Sequence, residues 1–203
     1  MLPFEERLDP IEFNFQNEGN VVYYPNFLKF DESTELFNSL KLNTEWHQPE
    51  VKVYGKVYPV PRLVAWYGDV EYGYSSFKHK PLTYPQNLEY IQKKIEALTG
   101  SKFNGVLLNY YRSGNDKMGW HSDNEKELGS KPVIASLNIG VTRRFDFRKK
   151  NDPRSKMSIE LENGSLLIMK GNFQTFWEHQ IPIQKRVQGE RINLTFRLIH
   201  SAE

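Results

Sequence analysis

The sequence of 203 residues contains no cysteine, which excludes disulfide bonds and catalysis by a thiol. It also has no apolar run that approaches the roughly 18 residues of a transmembrane helix. The first residues, MLPFEERLDP, lack the basic start and apolar stretch of a signal peptide. We therefore expect an intracellular protein that does not enter a membrane, in the cytoplasm of a bacterium or the nucleus of a eukaryote.

The sequence also lacks internal repeats, low-complexity tracts and any linker rich in proline, glycine or serine. Its length suits one domain with a sizeable core, so we predict a single domain over residues 1–203. A net charge of +2 does not identify a nucleic-acid binder, and any such function must depend on local patches. Aromatic residues make up 14% of the chain, enough for recognition as well as packing.

Two helices and a series of short strands are predicted from hydrophobic periodicity. Asp31 is a candidate N-cap for a helix over residues 32–42, and Pro85 and Gly100 bracket a second helix. From Phe103 onward the chain favours short strands: FNGVLLNYY, PVIASLNIG, RRFDF, MSIEL, GSLLIMKG, QTFWEHQ and INLTFRLI. This pattern is typical of a mainly β, α+β protein built on a sandwich, jelly roll or barrel, braced by the helices and an N-terminal extension.

A candidate metal site begins in the segment WHSDNE, residues 120–125. Side chains at positions i and i+2 of an extended segment point the same way, so His121 and Asp123 would face one point in space. His179, at the end of a predicted strand, is the candidate third ligand, and two histidines with one carboxylate suit an Fe(II) facial triad. The alternative is a polar turn at residues 121–123, with His179 packed at a strand end.

The segment RINLTFRL, residues 191–198, alternates strictly between apolar and polar side chains. An ordinary half-buried strand would turn its polar face to water. However, Arg191 and Arg197, with Asn193 and Thr195 between them, would also line a pocket for a dicarboxylate, because guanidinium binds carboxylate through paired hydrogen bonds. Beside a candidate iron site, this arrangement suggests 2-oxoglutarate as cosubstrate.

These motifs together resemble one known family. The segments NYYRSGNDKMGWHSDNE, PVIASLNIG, SLLIMKG, TFWEHQ and RINLTFR occur in the order found in AlkB-family Fe(II)/2-oxoglutarate dioxygenases, and most resemble the homologues that repair alkylated DNA. The resemblance covers residues 54–199. It implies a double-stranded β-helix, or jelly roll, as a core over residues 103–200. An N-terminal extension over 1–50 and a nucleotide-recognition lid over 51–80 would precede this core.

The resemblance also assigns ligands. His121, Asp123 and His179 match the family's iron ligands, and catalysis would pass through the bound iron. The matching 2-oxoglutarate positions are Asn109, Tyr111, Arg191, Asn193, Thr195 and Arg197. Arg191 is expected to bind the distal carboxylate, with Arg197 near the keto-acid end.

The implied reaction is oxidative demethylation of alkylated nucleobases such as 1-methyladenine and 3-methylcytosine. Iron, O2 and 2-oxoglutarate would oxidise the N-methyl group, releasing formaldehyde, succinate and carbon dioxide and restoring the base. The methylated edge is inaccessible in a duplex, so the base must be flipped into a pocket. The expected partner is alkylated DNA, single- or double-stranded, and the protein is expected to be a monomer.

Several residues match the family's substrate side. Tyr74 and Phe77 are the preferred stacking residues of the lid, and Asn124 and Glu125 would lie near the exocyclic amine of the base. The predicted hairpin VKVYGK carries Tyr54 and Lys56 and resembles a finger that fills the gap left by the flipped base.

A basic segment, RRFDFRKKNDPRSK at residues 143–156, could bind phosphates. Its foremost candidates are Arg148, Lys149 and Lys150. The simpler interpretation of such a segment is a solvated surface.

Three other functions stay open at this point. The same chemistry could act on RNA or on a protein side chain. The chain could be a non-catalytic nucleic-acid-binding module, or a zinc hydrolase, because two histidines and an aspartate also suit zinc.

Overall fold

The computed structural model describes residues 9–53, 55–68, 72–74, 77–79 and 82–200. Helix α1 spans Phe30–Asn43, α2 spans Gln86–Thr99, and a single helical turn, α3, spans Phe173–Phe176. The strands in chain order are β1 (Ile11–Asn14), β2 (Asn20–Tyr24), β3 (Glu50–Val53), β4 (Lys56–Pro59), β5 (Leu63–Gly68), β6 (Tyr72–Tyr74), β7 (Phe77–His79), β8 (Gly105–Tyr111), β9 (Met118–His121), β10 (Ile134–Gly140), β11 (Arg143–Lys149), β12 (Lys156–Leu161), β13 (Ser165–Lys170), β14 (Trp177–Ile181) and β15 (Arg191–Arg197).

Two antiparallel sheets form the core. The larger has seven strands in the order β1-β2-β13-β10-β15-β8-β5, and the smaller has four in the order β12-β11-β14-β9. Two hairpins, β3-β4 and β6-β7, stand apart from these sheets. This is the jelly roll that the sequence predicts. The segment predicted as an N-terminal extension contributes β1 and β2 to the larger sheet, through the pairing of β2 with β13.

The larger sheet is covered on both faces, which explains its apolar content. Its outer face packs under α1 and α2 in one hydrophobic cluster, and its inner face packs against the smaller sheet in a second. In β15, Ile192, Leu194 and Phe196 belong to the outer cluster, so the polar residues between them point toward the smaller sheet. Every residue of β15 is buried, so its polar face lines the interior of the jelly roll and is not solvated.

Helix α2 confirms the prediction for that segment. Pro85 precedes its first residue, and Gly100 ends it in the left-handed conformation with φ 68°. Leu88, Ile91 and Ile95 are buried beneath the helix. The apolar spacing therefore identified the buried face correctly.

Two local predictions were wrong. Helix α1 begins at Phe30 with Lys29 at the N-cap, so Asp31 lies in the first turn and interacts with the helix dipole without capping it. The predicted strand over residues 174–180 begins only at Trp177, because Phe173–Phe176 form the helical turn α3. That turn buries Phe173 and Gln174 side by side.

Among the described residues, no helix combines the length and apolar character that spanning a membrane requires.

Candidate metal centre and cosubstrate pocket

The three predicted metal ligands meet at the edge of the smaller sheet. Strands β9 and β14 pair antiparallel with His121 opposite His179, and Asp123 follows two residues after His121. One ligand atom from each of these residues lies within 4.8 Å of the others. Nε2 of His179 is 3.8 Å from Oδ2 of Asp123. Within the described part of the chain, no other histidines or carboxylates cluster in this way.

Neighbouring groups hold each ligand in a defined orientation. Nδ1 of His121 donates to the carbonyl of Gly119 over 2.8 Å, so its Nε2 carries the lone pair. The ring of Phe145 stacks on His179 with centroids 5.2 Å apart. The backbone amide of Asp123 donates to Oε1 of Gln174 over 2.9 Å. The helical turn α3 therefore positions a side chain that orients a candidate metal ligand.

The protonation states are those that a divalent metal requires. Burial lowers the pKa of His179 to about 3, and burial also lowers the pKa of His121. Burial would raise the pKa of Asp123, but the charge and hydrogen bond of Arg197, together with the two histidines, outweigh it and bring that pKa down to about 2. Two neutral imidazoles and a carboxylate at neutral pH form a ligand set for Fe(II) that needs no proton release.

The six predicted 2-oxoglutarate residues line the same cavity as the metal ligands. Strand β15 lies beside β8 with Arg191 opposite Tyr111 and Asn193 opposite Asn109. The alternation of both strands therefore directs their polar side chains to one volume between the sheets. This volume adjoins His121, Asp123 and His179.

Arg191 is a buried cation without an anionic partner among the described residues. Its side chain packs with the guanidinium carbon 4.9 Å from the ring centroid of Tyr111, and its Nη2 donates to Oδ1 of Asn138. Its Nε and Nη1 have no hydrogen-bond partner in the described structure. Burial lowers the pKa of Arg191 to about 10, which still leaves it charged at neutral pH. A buried charge with unused donors fits a carboxylate ligand.

Arg197 has a different environment. Its Nη2 donates to Oδ1 of Asp123 over 2.7 Å, and both residues are 2% exposed. This ion pair joins the end of β15 to a metal ligand. The predicted contact of Arg197 with the keto-acid end of 2-oxoglutarate stays a prediction.

A network of amides and hydroxyls forms the base of the pocket, and the sequence did not identify all of it. Asn138 is fully buried and accepts from Arg191 and Asn193 while donating to the carbonyls of Ser136 and Ser165. Thr195 donates to Oδ1 of Asn193 over 2.9 Å. Because Ser136 and Asn138 alternate with apolar residues in PVIASLNIG, the period-two pattern was the signal that could have identified them.

Comparison with known proteins agrees with this geometry. A family model described as the 2OG-Fe(II) oxygenase superfamily matches residues 20–197. The chain is 38% identical to alpha-ketoglutarate-dependent dioxygenase alkB homolog 3 of Rattus norvegicus, covering 90% of this chain and 65% of the relative. It is also 38% identical to DNA oxidative demethylase ALKBH2 of Homo sapiens, covering 83% of this chain and 69% of that protein. The chain belongs to the AlkB family.

The chain spans 65% of the length of the rat relative, just under two thirds. A solved structure described as OsALKBH1 is similar in fold, with a TM-score of 0.65 at 17% identity, and the match covers 93% of this chain and 100% of that one. At this level of identity the likeness concerns the fold alone.

The substrate side of this AlkB-family chain is described only in part. Strands β3 and β4 form the predicted hairpin, on which Lys56 is exposed, while Tyr54 lies outside the described residues. Tyr74 and Phe77 are paired in the register of β6 and β7, but their side chains lie outside the described structure. Asn124 is exposed and Glu125 half-buried, directly after the metal-ligand candidate Asp123.

The three basic candidates for phosphate contact have intramolecular partners. Arg148 pairs with Glu178 over 2.7 Å and stacks on Trp120, with its guanidinium carbon 4.1 Å from the ring centroid. Lys149 pairs with Glu18, and Lys150 donates to the carbonyl of Gln174. The charge of this segment is therefore partly neutralised within the fold. Its role in binding nucleic acid stays a prediction.

Asp146 organises the outer face of the smaller sheet. Its fully buried carboxylate accepts from Ser158 over 2.7 Å and Gln180 over 2.9 Å, and it pairs with Arg144 and Lys156. Burial opposes ionisation, but these hydrogen bonds and charges hold the pKa of Asp146 below the ordinary value of an aspartate.

We expect Asp146→Asn to lower the free energy of unfolding at pH 7 by about 1–3 kcal/mol, because a buried, hydrogen-bonded charge is replaced by an amide. A lowered folded-state pKa stabilises the fold above the unfolded pKa, and this contribution is lost as pH falls through the folded value. Urea unfolding at pH 7 and in acid measures both effects. The matched control is Asp152→Asn, on a half-exposed side chain of the same segment. Equal unfolding free energies for wild type and Asp146→Asn would contradict the expectation.

Proposed function

We propose that this protein is an Fe(II)/2-oxoglutarate-dependent dioxygenase that removes N-methyl groups from bases of the 1-methyladenine and 3-methylcytosine type in DNA. The single observation that carries the proposal is the shared cavity: a cluster of two histidines and one aspartate lies beside a buried arginine with unused donors. The names of the relatives, alpha-ketoglutarate-dependent dioxygenase and DNA oxidative demethylase, support this proposal.

In the proposed mechanism, the residues of the chain bind and orient the reactants. His121, Asp123 and His179 would hold the iron, which together with 2-oxoglutarate supplies the oxidation of the methyl group. Arg191 binds the distal carboxylate of 2-oxoglutarate and thereby fixes how far the molecule extends toward the metal ligands. Orientation of this kind contributes several kcal/mol to lowering a barrier.

The polar network under the pocket keeps Arg191 in place. Asn138 accepts from Nη2 of Arg191 and is itself held by the backbone of β10 and β13. The guanidinium therefore needs little reorganisation when the carboxylate binds, which preserves binding free energy. Thr195 and Asn193 complete the polar wall on the same strand.

The alkylated base is proposed to enter from the side of the lid, residues 51–80. Tyr74 and Phe77 would stack on one face of the flipped base and His121 would cover the other. Asn124 and Glu125 would accept hydrogen bonds from the exocyclic amine, which adenine and cytosine both carry. Arg148, Lys149 and Lys150 would exchange intramolecular partners for phosphates, so we expect their contribution to weaken with salt.

The experiment that tests the proposal is incubation with Fe(II), 2-oxoglutarate and oligonucleotides that contain one methylated base. Mass spectrometry then follows loss of the methyl group in single-stranded DNA, duplex DNA and single-stranded RNA. We expect demethylation of DNA, and Asp123→Ala should remove it. Demethylation confined to RNA would change the substrate class, and no demethylation with any oligonucleotide would overturn the proposal.

We propose that the protein acts inside the cell, where its proposed substrate occurs, in the cytoplasm of a bacterium or the nucleus of a eukaryote. We propose that it acts as a monomer, with O2 as the remaining reactant.

We expect Tyr54→Ala to impair repair of duplex DNA more than repair of single-stranded DNA. The duplex must lose pairing and stacking, at a cost of a few kcal/mol, which a single strand largely avoids. An aromatic finger offsets part of that cost by filling the gap. The quantity to compare is the ratio of rates, duplex over single strand, at fixed salt.

The matched control is Tyr90→Ala, on an exposed tyrosine of α2. Equal losses on both substrates would mean that Tyr54 supports the fold or the lid. No loss on either would exclude Tyr54 as a finger residue.

A further inference from the structure

Arg62 is a buried cation that the proposed chemistry does not yet use. It lies immediately before β5 and is 6% exposed. Its Nε donates to Oδ1 of Asn109 over 2.7 Å, and it has no carboxylate partner among the described residues. Its own turn is fixed by backbone hydrogen bonds, since its amide donates to Val60 and the amide of Lys117 donates to Pro61. Burial of a charge lowers the stability of a fold unless the charge has partners. The single amide partner that the Arg62 guanidinium has among the described residues therefore suggests a role in function.

The contact with Arg62 decides which way the Asn109 amide faces. Guanidinium groups only donate hydrogen bonds, so the amide atom that meets Arg62 must be the oxygen. The NH2 group then points away from Arg62. Asn109 lines the cavity, and its Nδ2 has no hydrogen-bond partner in the described structure. The amide of Asn109 could present either its oxygen or its NH2 group to the pocket. The contact with Arg62 selects the NH2 group, which is a hydrogen-bond donor.

A donor at this position suits an anionic ligand. Asn109 lies opposite Asn193 across the β8-β15 pair, and both residues line the cavity beside the metal ligands. An amide with the opposite orientation would present its oxygen to the carboxylates of the cosubstrate, and the two would repel each other. Without Arg62, the Asn109 amide could adopt both orientations. Binding of the ligand would then have to order the amide, which would weaken the affinity.

We propose that Arg62 is a positioning residue that holds the Asn109 amide with its NH2 group toward 2-oxoglutarate. This inference rests on the proposed function, because it takes 2-oxoglutarate as the occupant of the cavity. Arg62 is not required to touch the cosubstrate itself. Its effect passes through Asn109, and the experiment must separate this from a contact with nucleic acid.

The test is a double-mutant cycle on 2-oxoglutarate binding. Calorimetry measures the Kd for 2-oxoglutarate with Mn(II) bound and oxygen excluded, in wild type, Arg62→Met, Asn109→Ala and the double variant. We expect Arg62→Met to weaken binding about tenfold in the wild-type background, which corresponds to about 1.4 kcal/mol. In the Asn109→Ala background the same substitution should change the Kd less than about twofold, because the group it positions is gone. Equal losses in both backgrounds would overturn the inference.

A second variant tests whether the NH2 group of Asn109 binds 2-oxoglutarate, even if Arg62→Met does not fold. Asn109→Asp keeps an oxygen for Arg62 but replaces the donor that faces the cavity with another oxygen. We expect this variant to remain folded and to bind 2-oxoglutarate at least about tenfold more weakly, since a like charge now faces the ligand. Binding at the wild-type Kd would mean that the donor is not used, and the inference would fail.

Turnover with methylated single-stranded DNA provides a further readout. Arg62→Met should raise the KM for 2-oxoglutarate while kcat at saturating 2-oxoglutarate and the KM for the oligonucleotide stay near their wild-type values. If only the KM for the oligonucleotide rises and the KM for 2-oxoglutarate is unchanged, Arg62 contacts nucleic acid and the inference is overturned. If wild type itself does not bind 2-oxoglutarate, the proposed function fails, whereas a wild type that binds it beside unaffected variants overturns only the role of Arg62.

Discussion

Replacement of any one of His121, Asp123 or His179 by alanine is expected to abolish turnover. The loss of Fe(II) affinity should exceed about 100-fold, since groups that only orient a metal ligand already cost 10–100-fold when they are removed. The expectation follows because the three ligand atoms lie within 4.8 Å of one another, and no further histidine or carboxylate of the described residues belongs to this cluster. Metal binding by calorimetry and demethylation by mass spectrometry measure the two effects separately.

The three variants should differ in stability. Asp123→Ala leaves Arg197 buried without its carboxylate, and such an uncompensated charge destabilises a fold by about 3–5 kcal/mol. His121→Ala does not remove a charge at neutral pH, because burial keeps the imidazole neutral. The matched control is His200→Ala, which replaces an exposed histidine and shows the effect of a histidine-to-alanine change outside the site. Near-normal activity of Asp123→Ala would refute the assignment of the metal centre.

Arg191→Lys is expected to weaken 2-oxoglutarate binding by about 100-fold, because lysine keeps the charge but loses the paired hydrogen bonds and the stacking on an aromatic ring. In the structure the guanidinium packs on Tyr111, and Asn138 holds one of its nitrogens. A lysine ammonium can satisfy neither contact in the same way. Titration of 2-oxoglutarate in the presence of Mn(II) gives the affinity.

Two comparisons isolate this effect. Repair of single-stranded and duplex DNA should fall by the same factor, since both reactions need the 2-oxoglutarate that Arg191 is proposed to bind. Arg154→Lys is the matched control, because that side chain is 97% exposed. An unchanged affinity for 2-oxoglutarate in Arg191→Lys would show that Arg191 does not bind this cosubstrate.

The sequence predicted the features that depend on local periodicity. Strict alternation in RINLTFRL predicted two faces for β15, and the buried apolar face and interior polar face agree with it. The spacing of Leu88, Ile91 and Ile95 predicted the buried side of α2. The position of His121 opposite His179 was not readable from spacing. His179 was a candidate ligand from its place at a predicted strand end, and the resemblance to a family supported that choice.

Contacts between distant parts of the chain account for what the sequence did not predict. Arg62 meets Asn109 at a separation of 47 residues, Gln174 meets Asp123 at 51, and Arg191 meets Asn138 at 53. Lys149 meets Glu18 at a separation of 131 residues. No local pattern contains such pairs, because they depend on the order of strands in the sheets. The helical turn α3 was missed because its apolar residues suit a strand equally well.

The measurement that tests the central claim most directly compares two products in one sample. The protein is incubated with 2-oxoglutarate, oxygen and a methylated single-stranded oligonucleotide, with either Fe(II) or Zn(II), and mass spectrometry counts succinate and restored base. We predict equal amounts of succinate and restored base with Fe(II), and neither product with Zn(II). Restored base without succinate, or equal activity with Zn(II), would contradict the account.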